Sequence, residues 1–248
     1  MAEGRHRVND ESRIKDEEID EFLKNAAQLP DDFDPRLLDS IAASVKSSLR
    51  PVRPLPPVWL LTSGLVSVCA CISLAGALHS GFFGIARMDW LERWLVFSTL
   101  AALAYLAASA LVHQMMPASR HRLAPAALLP LVIVALLAVF AFLFRDGHTD
   151  HFVSAGIACL LTGLMYAIPA GLLGWWLLRR GFAVRPVSAG LSAGTLAGLA
   201  GLGMLELHCQ NFQAAHILVW HTAVVPVSAA LGACVGWALR LRARSGRS

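Results

Sequence analysis

Six apolar runs, each close to twenty residues long, fill most of the sequence after residue 57. They cover residues 58–78, 91–112, 123–143, 152–178, 187–206 and 218–239. A helix of about 20 apolar residues is long enough to cross the hydrocarbon of a bilayer. Only 15% of the chain is charged, against about 25% in soluble domains. The sequence therefore predicts an all-α integral membrane protein with six transmembrane helices in a bundle.

The basic residues predict how this bundle is oriented. If the N-terminus is inside, twelve Lys and Arg flank the inner ends of the runs and three flank the outer ends, namely Arg87, Arg93 and Arg145. Cytoplasmic flanks carry the excess of Lys and Arg in membrane proteins. We expect both termini in the cytoplasm, with an N-terminal arm over 1–57, a transmembrane domain over 58–239 and a basic tail over 240–248. Because the basic residues lie at helix ends, they do not indicate nucleic-acid binding.

The N-terminal arm is acidic and carries two short amphipathic patterns. The first lies within 16–27, and the second begins with Asp34 as N-cap and Pro35 at the first helical position. Neither helix can bury a core alone. They either rest on the membrane or each other, or bind a soluble partner; we favour the partner. Their apolar stripes consist of Ile19, Phe22, Leu23, Leu37, Leu38, Ile41 and Val45.

A group of potential metal ligands precedes the last apolar run. It comprises Glu206, His208, Cys209, His216 and His221. Imidazole, thiolate and carboxylate groups are the ligands that zinc and similar transition-metal ions prefer. With the orientation above, this stretch lies on the outer side of the membrane. The sequence therefore predicts a site for a zinc-like or other transition-metal ion there.

Helix geometry selects among these ligands. If the stretch is helical from Cys209 onward, Cys209 and His216 share one face, and His221 lies about 120° around the axis from Cys209. One ion would then take Cys209 and His216, with His208 or Glu206 from the preceding loop. His221 would join only if the helix begins later.

Two other interpretations of this stretch remain open. His216, Trp220 and His221 suit the headgroup layer, which favours amphipathic rings. Alternatively, Cys209 senses redox state together with Cys159, which lies about eight residues, or ~12 Å, into the fourth run. These two cysteines would form a disulfide or share an ion if their helices are neighbours.

The fifth run carries a packing pattern. Gly190, Gly194 and Gly198 recur every four residues, which allows another helix to approach closely. The sequence contains no phosphate-binding glycine loop, no nucleophilic serine motif and no paired carboxylates within the runs. We therefore do not expect an enzyme.

Three segments resemble the negative regulator of sigma F family of bacterial inner-membrane anti-sigma factors. They are the proline- and arginine-rich segment 49–59, the sequence Leu-His-Cys at 207–209, and His-Ile-Leu-Val-Trp-His at 216–221. The resemblance covers about residues 35–242, whereas residues 1–33 are longer than is usual in the family.

The resemblance implies a function. Members of this family hold an extracytoplasmic-function sigma factor at the inner membrane and release it under metal or oxidative stress. Members carry one cysteine in the fourth span and another before the sixth, and Cys159 and Cys209 match these by position. We therefore expect an anti-sigma factor whose arm binds the sigma factor and whose outer Cys/His residues sense the signal. The alternative is a membrane metal-binding or thiol-redox protein without a sigma-factor partner.

Overall fold

The computed structural model describes residues 36, 39–40, 42–44, 56–116, 125–145, 152–180 and 185–245. The chain divides into two compact units, Met1–Leu55 and Pro56–Ser248. In the first unit, the six described residues are helical and exposed. The arm residues predicted to bind a partner lie outside the described part of the chain: Ile19, Phe22, Leu23, Leu37, Leu38, Ile41 and Val45.

The second unit is helical throughout the ranges listed above, apart from short connections. Its helices are α1 Val58–Ser80, α2 Phe83–Arg87, α3 Trp90–Met115, α4 Pro125–Leu143, α5 Phe152–Arg180, α6 Pro186–His208, α7 Ala214–His216 and α8 Thr222–Ser245, with a π-helical turn over Ile217–His221 between α7 and α8. The prediction of an all-α fold is confirmed for these residues.

Five helical segments are long and apolar enough to cross a membrane. They are α1, α3, most of α5, α6 and the continuous segment Ala214–Arg242. The third predicted span corresponds to α4, whose apolar part Ala127–Leu143 is shorter. At about 1.5 Å per residue it extends ~26 Å, less than the ~30 Å of a typical hydrocarbon layer. Within the described residues, five of the six predicted spans therefore meet the criteria of length and composition, and the sixth stays a prediction.

Large apolar side chains cover the outside of the helices. Trp94 of α3 is 69% exposed, Val134 of α4 64%, Met165 of α5 68% and Trp237 of α8 57%. A soluble monomer rarely exposes so much contiguous apolar surface. The outer surface of this unit is therefore suited to lipid rather than to water.

Helix α6 lies at the centre of the unit. Its residues from Ser192 to Glu206 are all buried, and it packs against α1, α3, α4, α5 and α8. Glycine, alanine, serine and threonine make up much of this segment, and such small residues allow several helices to approach one axis. This explains why the run with the fewest bulky side chains is the most enclosed.

The backbones of α6 and α8 are in direct contact at the glycines of α6. A Cβ atom added to Gly194 would lie 2.8 Å from the Cα of Ala229, and one added to Gly198 would lie 2.7 Å from the Cα of Val225. Gly190 meets the backbone of Gly232 in the same way. The predicted packing role of these glycines is confirmed, and α8 is the helix that packs against them.

Two buried hydrogen bonds attach further helices to α6. Ser73 of α1 donates its hydroxyl to the carbonyl of Ala200 at 2.7 Å. Gln114 of α3 donates its amide to the hydroxyl of Ser192 at 2.8 Å. Such bonds between helices in a membrane contribute about 0.6 kcal/mol each on average, because the groups also find partners when the helices are apart.

One end of the unit is built around the C-terminus of α6, and we call it the site end. Helix α1 ends there at Gly81, whose φ of 101° is readily adopted only by glycine. Gly84 of α2 then lies against the carbonyls of Glu206 and Cys209. A side chain at Gly84 would push α2 away from the end of α6, so this close contact fixes the position of residues 206–209.

The contact between α6 and α8 leads to a first prediction. Substituting Gly194→Leu places a side chain where the backbone of α8 lies, and overpacking of this kind costs about 1–3 kcal/mol. We expect the Tm of the detergent-solubilised protein, followed by circular dichroism, to fall by several degrees. Gly64→Leu is the matched control, since nothing lies within 4 Å of a Cβ at Gly64. An equal Tm for both variants would contradict the packing role.

Candidate metal and thiol site

Four side chains meet at the site end and form what we call the Cys/His cluster. They are Cys159 of α5, Cys209 at the end of α6, His216 of α7 and His221 of the π turn. Their potential ligand atoms all lie within 4.8 Å of one another. Cys209, His216 and His221 are buried and Cys159 is half-buried. Residues from three parts of the chain therefore converge on one enclosed point.

The loop over residues 209–213 sets the position of Cys209. Arg87 donates from Nη1 to the carbonyl of Gln210 at 3.2 Å, and the Asn211 side chain accepts from the backbone N–H of Gln213 at 3.1 Å. The ring of Phe212 packs on Phe144, with centroids 5.5 Å apart. These contacts anchor the loop, so the Cys209 thiol is held in place rather than left at a free chain end.

The π turn decides where His221 lies. Helix α7 begins only at Ala214, so a helix starting at Cys209 is not formed. The N–H of Thr222 then bonds to the carbonyl of Ile217, five residues earlier, which is the π-helical pattern. In this wider turn residues five apart come close to one face, and the rings of His216 and His221 lie 5.2 Å apart. His221 therefore joins the cluster, as was expected only for a later helix start.

The two thiols are close to each other and to one imidazole. The sulfur of Cys209 lies 3.5 Å from that of Cys159 and 3.8 Å from Nε2 of His216. The hydrogen bond with Cys159 and burial raise the pKa of the Cys209 thiol above its ordinary value, and the nearby imidazoles oppose this shift. An ion that binds here must therefore displace the proton of Cys209.

Glu206 contacts the cluster through His221 and is not one of its four members. Its Oε1 lies 2.7 Å from Nδ1 of His221, and both side chains are almost completely buried. Nδ1 is thus occupied by the carboxylate, and Nε2 of His221 has no hydrogen-bond partner among the described residues. Nε2 is the nitrogen of His221 that remains for an ion.

His208 points away from the cluster. Its Nδ1 lies 3.1 Å from the carbonyl of Gly81, and its ring packs on Phe83. Of the five residues predicted as metal ligands, the structure therefore groups Cys209, His216 and His221 together, places Glu206 behind His221, and leaves His208 outside. Their binding of an ion stays a prediction.

The residue types and their spacing fit a transition-metal ion. Two thiolates and two imidazoles are a common tetrahedral set for zinc, with Zn–S of about 2.3 Å and Zn–N of about 2.0 Å, which places ligand atoms about 3.3–3.8 Å apart. The sulfur–sulfur distance between Cys159 and Cys209, 3.5 Å, and the sulfur–nitrogen distance between Cys209 and His216, 3.8 Å, lie in this range. Small side-chain movements would bring the remaining atoms to the same separation.

The burial of the histidines argues against the headgroup interpretation. His216 is 0% exposed and His221 1%, whereas interfacial rings have one end in water. Trp220 is half-buried: its ring packs on Phe152 and occupies the space above Gly156, where no side chain fits. Gly156 lies three residues before Cys159 and was not singled out in the sequence. It allows the π turn to approach α5.

Comparison with known proteins identifies one family. The family model described as "Negative regulator of sigma F" matches residues 46–241, which include the Cys/His cluster and nearly all of the helical unit. No curated protein and no solved structure gives a significant match.

The cluster predicts binding of one metal ion per chain. We expect the detergent-purified protein to bind one equivalent of Zn²⁺, measured by competition with a chromophoric chelator. Replacing His216 with alanine removes a ligand. Zn²⁺ affinity should fall by more than the roughly 10- to 100-fold that is lost when a group hydrogen-bonded to a ligand is removed. His208→Ala is the control and should bind like the wild type. Equal losses for both variants would contradict the assignment of the cluster.

The distance between the sulfurs predicts a disulfide under oxidation. Diamide should take two electrons and two protons from Cys159 and Cys209, closing their sulfurs to about 2.05 Å. Mass spectrometry after maleimide labelling would show two thiols lost. The substitutions Cys159→Ser and Cys209→Ser should abolish the loss, and Cys69→Ser should not. Zn²⁺ added first should protect both thiols; unchanged labelling of the oxidised wild type would refute the pairing.

Proposed function

Since the chain belongs to the negative regulator of sigma F family, we propose that it is a membrane-bound anti-sigma factor. It holds an extracytoplasmic-function sigma factor at the bacterial inner membrane and keeps it from RNA polymerase. The family match over residues 46–241 is the observation that carries this proposal. On this proposal the protein acts by binding a partner and catalyses no reaction.

The orientation of the protein follows from its charge. We place α4 in the membrane as a sixth span, tilted little and covered partly by its neighbours, since Leu128, Val132, Leu136 and Phe140 are buried on one face. Six spans put both termini on the same side. The excess of Lys and Arg at the other end from the Cys/His cluster favours the cytoplasm for the termini. The cluster then lies towards the outer surface.

The N-terminal arm is the part that binds the sigma factor in this proposal. Its support is the pair of apolar stripes within residues 16–49, which need a partner to be covered. The predicted helix within 16–27 is acidic, and an acidic helix lying on the membrane is repelled by anionic lipid. This favours a soluble protein as its partner. Helix-in-groove binding is the mode that such stripes serve.

The signal acts on the Cys/His cluster. An ion bound there joins α5, the 209–213 loop and the π turn, which in turn adjoin α6 and α8. Because α6 packs against every other long helix, a change in its contact with α8 alters the whole bundle. Release of the sigma factor then requires that the ion and the sigma factor each bind one of two packing arrangements more tightly, and that they prefer different ones.

Oxidation is a second way to close the same cluster. The sulfurs of Cys159 and Cys209 are 3.5 Å apart, so an oxidant would join α5 to the 209–213 loop as an ion would. Both signals therefore draw the same elements together. They differ in the histidines, which an ion needs and a disulfide does not.

A capture experiment tests the proposal. The tagged full-length protein, solubilised in detergent, should retain a protein that peptide mass spectrometry identifies as a sigma factor. Cd²⁺ or diamide should lower the amount of sigma factor retained at least tenfold. Cys159→Ser or Cys209→Ser should block this release without reducing capture in untreated samples. His216→Ala should block release by Cd²⁺ but not by diamide.

Variants of the arm supply the matched control. Leu38→Asp with Ile41→Asp places charges on the second apolar stripe and should abolish capture while leaving Zn²⁺ affinity unchanged. Asp39→Ala, on the opposite face, should capture normally. If no sigma factor is retained by the wild type under any condition, the protein is better described as a membrane metal-binding or redox protein.

A further inference from the structure

Glu206 and His221 form a hydrogen-bonded pair that is almost completely buried. Glu206 is 0% exposed, His221 is 1% exposed, and their side chains meet at 2.7 Å. The second oxygen of Glu206 has no hydrogen-bond partner among the described residues. A buried ion pair seldom stabilises a fold more than apolar residues of the same size. A half-satisfied carboxylate is therefore a poor structural device at this position, and a functional reason is called for.

The geometry assigns the two nitrogens of His221 different tasks. A carboxylate only accepts hydrogen bonds, so Nδ1 carries the proton and donates it to Glu206. A metal ligand must be the neutral imidazole, and in that form Nε2 is the nitrogen with the free lone pair. His216 differs, because its Nε2 lies 3.8 Å from Cys209 and its Nδ1 has no partner among the described residues. Only one of the two imidazoles is thus held by a carboxylate.

We propose that Glu206 is a positioning residue for the metal site and not a ligand of it. It fixes the tautomer and the ring angle of His221, so that Nε2 is presented to an ion shared with Cys159, Cys209 and His216. This inference rests on the proposed binding of a metal at the cluster. It also changes the interpretation of Glu206 from the sequence, where it counted as a possible ligand.

The charge and the location of Glu206 support this role. A carboxylate hydrogen-bonded to an imidazole makes the ring a stronger ligand and orients it. Glu206 lies in the last turn of α6, whose position is fixed by its burial among the other helices, whereas His221 belongs to the π turn. The bond between Glu206 and His221 therefore attaches a ligand ring on the irregular π turn to α6, the most enclosed helix of the unit.

A double-mutant cycle separates positioning from other effects. Zn²⁺ affinity is measured by chelator competition for the wild type, Glu206→Ala, His221→Ala and the double variant. Glu206→Ala should bind about 10- to 100-fold more weakly. If Glu206 acts through His221, the double variant should bind no more weakly than His221→Ala alone. Independent, multiplied losses would overturn the proposal, because non-contacting effects add in free energy.

Two further variants keep the test decisive. Glu206→Gln keeps an oxygen that accepts from Nδ1 and should bind between the wild type and Glu206→Ala, which also covers the case in which the alanine variant does not fold. Glu92→Gln removes another acidic charge at the site end, one that caps α3, and should leave the affinity unchanged. A loss for Glu92→Gln equal to that for Glu206→Gln would indicate general electrostatics instead.

Co²⁺ provides a spectroscopic readout that a structural role would not change. The wild type should show the intense visible bands of tetrahedral Co²⁺ together with thiolate-to-metal charge transfer. Saturated Glu206→Ala should keep the charge transfer, since both cysteines remain, while the visible bands shift as His221 loosens. If Glu206→Ala gives the same spectrum as the wild type, the positioning role of Glu206 is overturned and the metal site is not. Absence of Zn²⁺ and Co²⁺ binding by the wild type would overturn the metal site and this inference together.

Discussion

The direct contact between the backbones of α6 and α8 is the constraint on which the rest of the helical unit depends. Glycines at 190, 194 and 198 remove the side chains that would hold the two helices apart. Elsewhere α6 combines small residues with buried leucines such as Leu196, Leu199 and Leu202, and its other neighbours pack around these. The gain is dispersion contact over a long interface, which replaces the hydrophobic effect that lipid cannot supply between helices.

The same contact locates the Cys/His cluster. Glu206 and Cys209 lie at the end of α6, and the π turn with His221 immediately precedes α8. The two ends are therefore brought together by the packing below them, while Cys159 arrives on α5, which packs against both α6 and α8. Pro226, one turn into α8, lacks the N–H that would complete an ordinary helical bond. The missing hydrogen bond accounts for an irregular turn just before Pro226.

A site of this kind suits a sensor better than a transport path. Three of its four described members are buried, and the carboxylate of Glu206 contacts it through His221. Each change of its occupant, whether ion or disulfide, must be accommodated by side chains in a close-packed interior, which shifts between discrete arrangements instead of deforming smoothly. The anti-sigma proposal uses this property, since release of a partner requires a switch between two states.

Sequence reasoning recovered the parts of this protein that depend on local composition. The apolar runs around Val58–Ser80 or Trp90–Met115 are recognised because hydropathy adds along the chain without any partner. The glycine spacing in α6 likewise indicates close packing by itself. The third predicted span, 123–143, stays a prediction, because residues 117–124 lie outside the described part of the chain and the described apolar segment of α4 is Ala127–Leu143.

The membership of the Cys/His cluster was decided only in three dimensions. Cys159 and Cys209 are fifty residues apart, and the sequence could pair them only on the condition that their helices are neighbours, since no periodicity relates residues on separate helices. His221 reaches the cluster through a π turn that regular helical spacing does not anticipate, and His208 is withdrawn by the carbonyl of Gly81. By itself the sequence determined the membrane class and the supply of ligand types, because both are properties of residues. Tertiary packing decided which ligands meet, because that depends on distances set by other helices.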